Sequence, residues 1–314
     1  MVRQLIHCIA PLFYAVSLLG IPSCAHSQPS ALSVQQVAPG VYMHQGAHLD
    51  LDDGYQGDIS NIGFIIGAKG VAVIDTGGSR QVGEALLSAI REITDLPVLY
   101  VINTHIHPDH IFGNAAFKQE HPVFIGHAKL PNAMALRGEA YLRQGQKLLG
   151  IQFSESEIIP PTQLVASFQE LDIGGRKLLL TAYPNAHTNT DLTVLDETTG
   201  TLWTGDLLFI ERAPSIDGDI KGWLSAIEDL QKLTGIQLAV PGHGPATQDL
   251  QGALSNQARY LNLLLHDVRK AIKQGHSMQQ AMESAAASES GHWQLFHEVN
   301  RRNVNLIYPV LEWE

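Results

Sequence analysis

Short apolar runs separated by polar turns dominate the first two-thirds of the chain. Residues 40–45 alternate apolar and polar positions and predict an opening strand. Residues 61–66 and 71–74 are apolar runs flanking a turn at Gly67-Ala68-Lys69-Gly70, and runs of this length read as buried strands. Ser79 offers a side-chain oxygen for a helix start, and Val82, Leu86, Leu87 and Ile90 recur on one face, which predicts a helix to about residue 93. Strands are predicted over 97–102 and 122–125, and a helix over 128–150. A hairpin over 163–183 turns at Gly174-Gly175, and another over 192–203 turns near Thr199-Gly200. A helix over 223–233, a strand over 238–240, and helices from Gln257 to the end, interrupted near Gly275 and Gly291, complete the pattern. Residues 47–60 are polar and Gly-containing and read as a loop. Periodicity alone yields an α/β chain of one domain.

The strand predicted over 97–102 runs into Asn103-Thr104-His105-Ile106-His107-Pro108-Asp109-His110-Ile111-Phe112-Gly113-Asn114. Imidazole and carboxylate are good zinc ligands. His105, His107, Asp109 and His110 in one turn exceed what one tetrahedral ion can accept alongside outside ligands, so two adjacent ions are expected. The other reading, a histidine-rich surface loop, sits poorly after a core strand.

This His-x-His-x-Asp-His pattern resembles the signature of the metallo-β-lactamase-fold hydrolases. The other motifs of that family follow in order: Asp75 in Val73-Ile74-Asp75-Thr76-Gly77-Gly78, His187 in Ala186-His187-Thr188, Asp206 in Trp203-Thr204-Gly205-Asp206, and His243 in Pro241-Gly242-His243-Gly244. The resemblance spans roughly residues 34–250. It implies a single-domain αββα sandwich with metals in a groove at one edge. It also implies two zinc ions: the first held by His105, His107 and His187, the second by Asp109, His110 and His243, with Asp206 bridging. Asp109 and Asp206 are the residues given catalytic roles, around a metal-bridging hydroxide. Asp75 either orients a ligating imidazole or satisfies turn N–H groups. Gly113 and Asn114 shape the turn. The helix over 128–150 and the loop over 47–60 are expected to border the groove.

His44, His48, His121, His127, His266, His276, His292 and His297 match no motif and read as surface or hydrogen-bonded histidines; His48 is the one considered for the groove wall. Glu211 and Arg212 read as a solvated loop, with substrate contact the alternative.

Within the superfamily, His at position 107 separates the chain from the di-iron branch, which resembles flavodiiron proteins and carries Glu there. The aspartate at 206 is similar to glyoxalase II and to general hydrolases rather than to dedicated β-lactamases. Longer matches, through Gly57-Asp58-Ile59-Ser60-Asn61-Ile62-Gly63-Phe64-Ile65, the motifs at Asp75, His105 and His187, and the ending Leu311-Glu312-Trp313-Glu314, resemble the quinoprotein relay system zinc metallohydrolases. That resemblance implies export and a functional link to PQQ-dependent dehydrogenases.

Composition narrows the partners. Among 314 residues, 20 Lys+Arg stand against 31 Asp+Glu, a net charge of −11, with no basic stripe, so nucleic-acid binding is excluded and a small-molecule substrate expected. Arg3 and the apolar stretch 9–21 read as a secretory signal over residues 1–25, leaving a domain over 26–314 with a helical segment over 251–314. Cleavage within 24–28 would give a periplasmic or secreted protein without stable membrane insertion; a lipoprotein through Cys24 is the alternative. Both cysteines, Cys8 and Cys24, lie in this leader, so the mature chain has no Cys ligand and no disulfide. Three functions stay open: a zinc hydrolase of the quinoprotein-associated type, a β-lactamase, lactonase or glyoxalase II-like thioester hydrolase, and a non-catalytic metal- or cofactor-binding accessory protein.

Overall fold

A computed structural model describes residues 31–51 and 54–314. The leader assigned to 1–25, with its two cysteines, and Asp52 and Asp53 of the polar loop lie outside the described residues.

Two sheets face each other. The first has seven strands in sequence order: β1 (Gln35–Ala38), β2 (Val41–His44), β3 (Ile62–Ile66), β4 (Val71–Ile74), β5 (Val98–Ile102), β6 (Val123–His127) and β7 (Gln163–Val165). Its first four strands pair antiparallel and β4 to β7 pair parallel. The second sheet has the order β12 (Leu238–His243), β11 (Thr201–Phe209), β10 (Leu192–Asp196), β9 (Lys177–Ala182), β8 (Phe168–Asp172), antiparallel except for the parallel pair β11·β12.

Alternation along β4 explains the layering. Ala72 and Ile74 point between the sheets, with Ile65, Ile102 and Ile125, against Leu178, Leu180, Val194, Trp203 and Val240. Val71 and Val73 point outward and pack with Val82, Leu86 and Ile90 of α1 (Arg80–Ile93). A strand covered on both faces reads as the unbroken apolar run seen in the sequence. Ser79 caps α1, its side chain accepting from the Val82 N–H at 3.2 Å. Helices α4 (Ile220–Gln231), α5 (Leu250–Lys273), α6 (Met278–Ser284) and α7 (Phe296–Leu311) cover the outer face of the second sheet, where Trp223, Tyr260, Leu264 and Ile307 meet Leu202, Leu208 and Phe209. This is the expected αββα sandwich. Helices α2 (Pro108–Ile111) and α3 (Leu130–Leu149) lie on the first half.

Two expectations need correction. The segment 163–183 is not one hairpin: β7 joins the first sheet parallel to β6, and only β8 and β9 form a hairpin, in the second sheet. Helix α5 starts at Leu250, capped by Asp249, seven residues before Gln257. Helix α2 and a 3₁₀ helix, Phe112–Glu120, follow His107 directly. Among the described residues no helix is long and apolar enough to cross a membrane.

Candidate metal centre

The motif turn leaves β5 between two neighbouring strands. Asp75, at the end of β4, donates its N–H to Ile102 O, and Asn103 donates to Ile125 O, each at 2.9 Å. Asn103 and Asn114 bond across the turn, Asn114 Nδ2 donating at 2.8 Å and Asn103 Nδ2 at 3.1 Å. Gly113 packs so tightly that a Cβ there would lie 1.9 Å from Thr76 O. The turn is therefore rigid, and it delivers His105 and His110 fully buried and His107 half-buried.

The second half supplies the remaining groups. His187 sits in a loop after β9 that is held by Asp191, which accepts from the Thr188 N–H at 2.8 Å and the Thr188 hydroxyl at 2.6 Å. Burial pushes the Asp191 carboxyl up to about 7 in spite of those bonds. Asp206 lies within β11 and His243 ends β12. The two strands approach so closely that a Cβ on Gly242 would lie 1.9 Å from Asp206 Oδ1.

All seven residues named from the sequence converge. His105, His107, His187 and Asp206 form one cluster and Asp109, His110 and His243 another, the ligand atoms of each lying within 4.8 Å of one another. Asp206 stands between them. Its Oδ2 is 3.2 Å from His187 Nε2, 3.6 Å from His105 Nε2 and 3.4 Å from His243 Nε2, while its Oδ1 is 3.2 Å from His110 Nε2.

Hydrogen bonds on the far side of each ring fix what faces inward. His187 donates Nδ1–H to Ser215 O at 2.8 Å, and His243 donates Nδ1–H to Ile59 O at 2.7 Å. A carbonyl only accepts, so in both neutral rings Nε2 carries a lone pair. His107 Nε2 bonds Asp217 Oδ2 at 3.0 Å, leaving Nδ1 inward. His110 Nδ1 bonds Asp75 Oδ2 at 2.8 Å, leaving Nε2 inward. His107 Nδ1 and His187 Nε2 then face each other at 3.0 Å, both aimed at the same part of the centre. Carboxylate oxygens fill the rest of the centre. Asp206 Oδ1, His105 Nε2 and His110 Nε2 are buried without a hydrogen-bond partner. Buried polar atoms are rarely left so, and a cluster made of acceptors requires positive charge at its middle. The residues therefore fit metal ions.

Electrostatics agree. Burial disfavours a charged His110, yet Asp206, Asp109 and Asp75 outweigh it and hold its pKa well above the ordinary 6.5, so this surplus of acceptors draws a proton to the ring that a metal ion would displace. Burial would raise the Asp206 carboxyl, but His243, His110, His105 and His187 keep it well below the usual range. His187 falls to about 3, chiefly through burial.

The centre opens into a cleft of about 240 Å³. Asp50, Leu51, Tyr55 and Ile59 of the polar loop form one side, and Tyr141, Gln144, Gly145 and Leu148 of α3 another, as expected of both segments. The loop lines the cleft through these residues, while the His48 ring lies beside Glu211, its Nε2 3.5 Å from Oε2. Asp75 serves both roles considered for it, orienting His110 and accepting the Thr104 N–H at 2.8 Å.

Sequence reading missed Asp217, the partner of His107, and Arg137 of α3, which grips the same carboxylate. Neither stands at a spacing that links it to the motif; Asp217-Gly218-Asp219 reads as an ordinary turn before a helix.

Comparisons with known proteins accord with this architecture. Residues 55–251 match the metallo-beta-lactamase superfamily. A linear primary-alkylsulfatase from Pseudomonas sp. (strain ATCC 19151) is 37% identical over 62 residues, which is 20% of this chain and 12% of that protein. A metallo-beta-lactamase from Pontibacter korlensis superposes with a TM-score of 0.60 at 23% identity, covering 74% of this chain and 99% of the other. A stereoselective inverting sec-alkylsulfatase from Pseudomonas sp. superposes with a TM-score of 0.69 at 16% identity, covering 89% of this chain and 50% of the sulfatase. With the ligand turn, strands β3 to β12 and the seven converging ligand residues all inside the matched segment, the chain belongs to the metallo-beta-lactamase superfamily.

Proposed function

We propose that this chain is a dinuclear zinc hydrolase that cleaves ester-type bonds of small molecules. The observation that carries the reading is the acceptor-only centre: seven ligand groups in two clusters, their inward atoms stripped of donors by hydrogen bonds on the outer side. One zinc uses three or four protein ligands, so this set suits two ions. His105, His107 and His187 would hold one, Asp109, His110 and His243 the other, with Asp206 shared.

Bound ions supply Lewis acidity toward a substrate oxygen and bring the pKa of a water to near 7. The chain's own groups do the rest. Asp206 sets the spacing of the two clusters. Asp109, whose carboxylate lines the cleft, would hold the second ion through Oδ2, which lies 3.5 Å from His110 Nε2 and 3.4 Å from His243 Nε2, and its other oxygen would orient the water. Tyr55, Phe112 and Leu148 give the cleft an apolar wall that excludes bulk water from the reacting bond.

The short match to a primary alkylsulfatase favours sulfate esters as the bond cleaved. Export to the periplasm rests on Arg3 and the apolar stretch 9–21, and the link to PQQ-dependent dehydrogenases on the motif resemblance.

The test is a substrate panel of alkyl sulfates, a thioester, a lactone, a cephalosporin and PQQ-related compounds, with zinc-loaded protein. Turnover abolished by chelation and restored by zinc is expected. Protein shown to hold two equivalents of zinc and inert toward the whole panel would return the reading to a metal-binding accessory role.

A further inference from the structure

Helix α3 is a wall of the cleft and also a hold on the first cluster. Arg137, Tyr141, Gln144 and Leu148 stand at i, i+4, i+7 and i+11, which places them on one face of the helix. Tyr141, Gln144 and Leu148 line the cleft, and Arg137, at the other end of that face, reaches Asp217. The rest of the helix is seated by packing. Leu130, Ala133 and Met134 lie with Ile106 and Ile111, the apolar residues set among the ligands of the motif turn. Phe153 fills the hollow at Gly145, where a Cβ would lie 2.4 Å from its ring. Lys129, just ahead of the helix, donates from Nζ to Pro184 O at 2.8 Å, a second tie to the other half of the sandwich.

Arg137 grips Asp217 at the oxygen that His107 uses. Asp217 Oδ2 accepts from His107 Nε2 at 3.0 Å and from Arg137 Nη1, and Nη1 also donates to Tyr141 Oη at 3.2 Å. Asp217 belongs to a short segment that holds two of the three histidines of the first cluster. Ser215 O accepts from His187 Nδ1 at 2.8 Å, and Asp217 donates its own N–H to His187 O at 3.2 Å. His110 and His243, in the other cluster, make their outer bonds to Asp75 and Ile59 O, outside this chain of bonds. One guanidinium therefore joins a cleft residue, Tyr141, to the mounting of one metal site.

We propose that Arg137 is a positioning residue that couples α3 to the first ion alone, so that a seated helix and a held ion steady each other. The inference rests on the two-ion reading for its selectivity. Asp217 orients His107 fully only while Arg137 holds it, and such a coupling acts equally in both directions. The reacting pair is then complete only beneath a seated α3.

Zinc titration of the full chain against a chromophoric chelator, with hydrogen exchange over residues 137–149, tests it. Arg137→Met is expected to weaken one of two zinc equivalents about tenfold, the lower end for loss of an outer partner, and to leave the other unmoved. Arg137→Lys should recover part of the loss, keeping the charge on Asp217 without the fork that also reaches Tyr141. Because Arg137 acts through Asp217, adding Arg137→Met to Asp217→Asn should cost little more than Asp217→Asn alone. Losses that add in full would overturn the proposal, as would equal losses at both sites. Hydrogen exchange reads the opposite direction. Zinc added to His243→Ala protein, whose first cluster is intact, should slow exchange over 137–149; zinc added to His187→Ala protein should not. Equal protection in both, or in neither, overturns the coupling, and this comparison stands even where Arg137→Met fails to fold. A chain that binds one zinc, more weakly in Arg137→Met, sinks the two-ion reading and spares this inference. Two zincs held, both untouched by Arg137→Met, does the reverse.

Discussion

Asp75 fixes two metal-facing imidazoles at once. Its Oδ2 bonds His110 Nδ1 at 2.8 Å and accepts the Thr104 hydroxyl at 2.7 Å, and that hydroxyl oxygen lies 3.0 Å from His105 Nδ1. A hydroxyl donating to Asp75 accepts from His105, so both rings present Nε2 lone pairs to the centre. One belongs to each cluster.

Asp75→Asn is therefore expected to weaken both ions. The amide keeps the shape, and Asn tolerates the left-handed backbone at this position, φ 53°. An amide N–H toward His110 reverses the tautomer and takes the lone pair from Nε2. Loss of such an outer partner typically costs about 10–100-fold in metal affinity. Competition with a chromophoric chelator measures it, and wild-type affinity at both sites would refute the coupling.

Asp217→Asn should act on one ion only. Asp217 holds His107 Nε2 at 3.0 Å and is itself gripped by Arg137 of α3. Burial opposes its charge, but His107 and Arg137 draw its carboxyl down to about 2. One of two zinc equivalents should bind about tenfold or more weakly, with the other unmoved. Two equal losses in the same titration would show that the clusters are not separable.

Substitutions of the ligands themselves should divide likewise. His187→Ala empties the first cluster, His243→Ala the second, and Asp206→Ala loosens both. Asp206→Ala should lower kcat by ~10²-fold or more while KM changes little, because it removes charge stabilisation of several kcal/mol at the reacting bond. Elemental analysis beside steady-state kinetics decides. An Asp206→Ala protein with two zincs and full activity would dismiss the shared carboxylate.

Far from the cleft, Arg176 and Asp196 should govern acid stability. Arg176 Nη2 meets Asp196 Oδ2 at 2.6 Å and also Pro39 O at 3.0 Å, while Nη1 donates to Ile66 O at 2.8 Å. Burial would raise the Asp196 carboxyl, but bonds from Arg176 and Thr199 hold it below its ordinary value. A carboxylate depressed in the native state adds stability at neutral pH, and that stability is lost as pH falls through its native pKa. Arg176→Met should cost about 3–5 kcal/mol at pH 7 by stranding a buried charge. Asp196→Asn should also be destabilised at pH 7 yet lose less on acidification than wild type. Urea melts at pH 7 and pH 4 measure both, and parallel losses for Asp196→Asn and wild type would remove the pair from the acid response.

What the sequence made legible was local. Four ligands within six residues after an apolar strand, and the short apolar runs of β3 and β4, buried along almost their whole length, were readable directly. Position in space was legible only through resemblance. Gln163, Leu164 and Val165 look the same whether they extend one sheet or the other, since three residues carry no register. Gly252, one turn into α5, hides its start, although Asp249 accepts its N–H at 2.8 Å. Glu211 and Arg212 look alike as neighbouring charges, and only the sign of one φ separates an exposed residue from a buried one. Asp217 is 110 positions from His107, a distance at which no pattern speaks.

Asn61 gives the centre a history in time. Its N–H donates to Gly242 O at 2.7 Å, and its side-chain amide donates to Pro241 O at 2.8 Å and Gly244 O at 2.7 Å. The residue just before β3 thus clasps the end of β12, which carries His243, through bonds that involve no ion. Chain synthesis cannot complete the clasp until residue 244 has emerged, so the turn at His105 to His110 waits more than a hundred residues for His243 to join it.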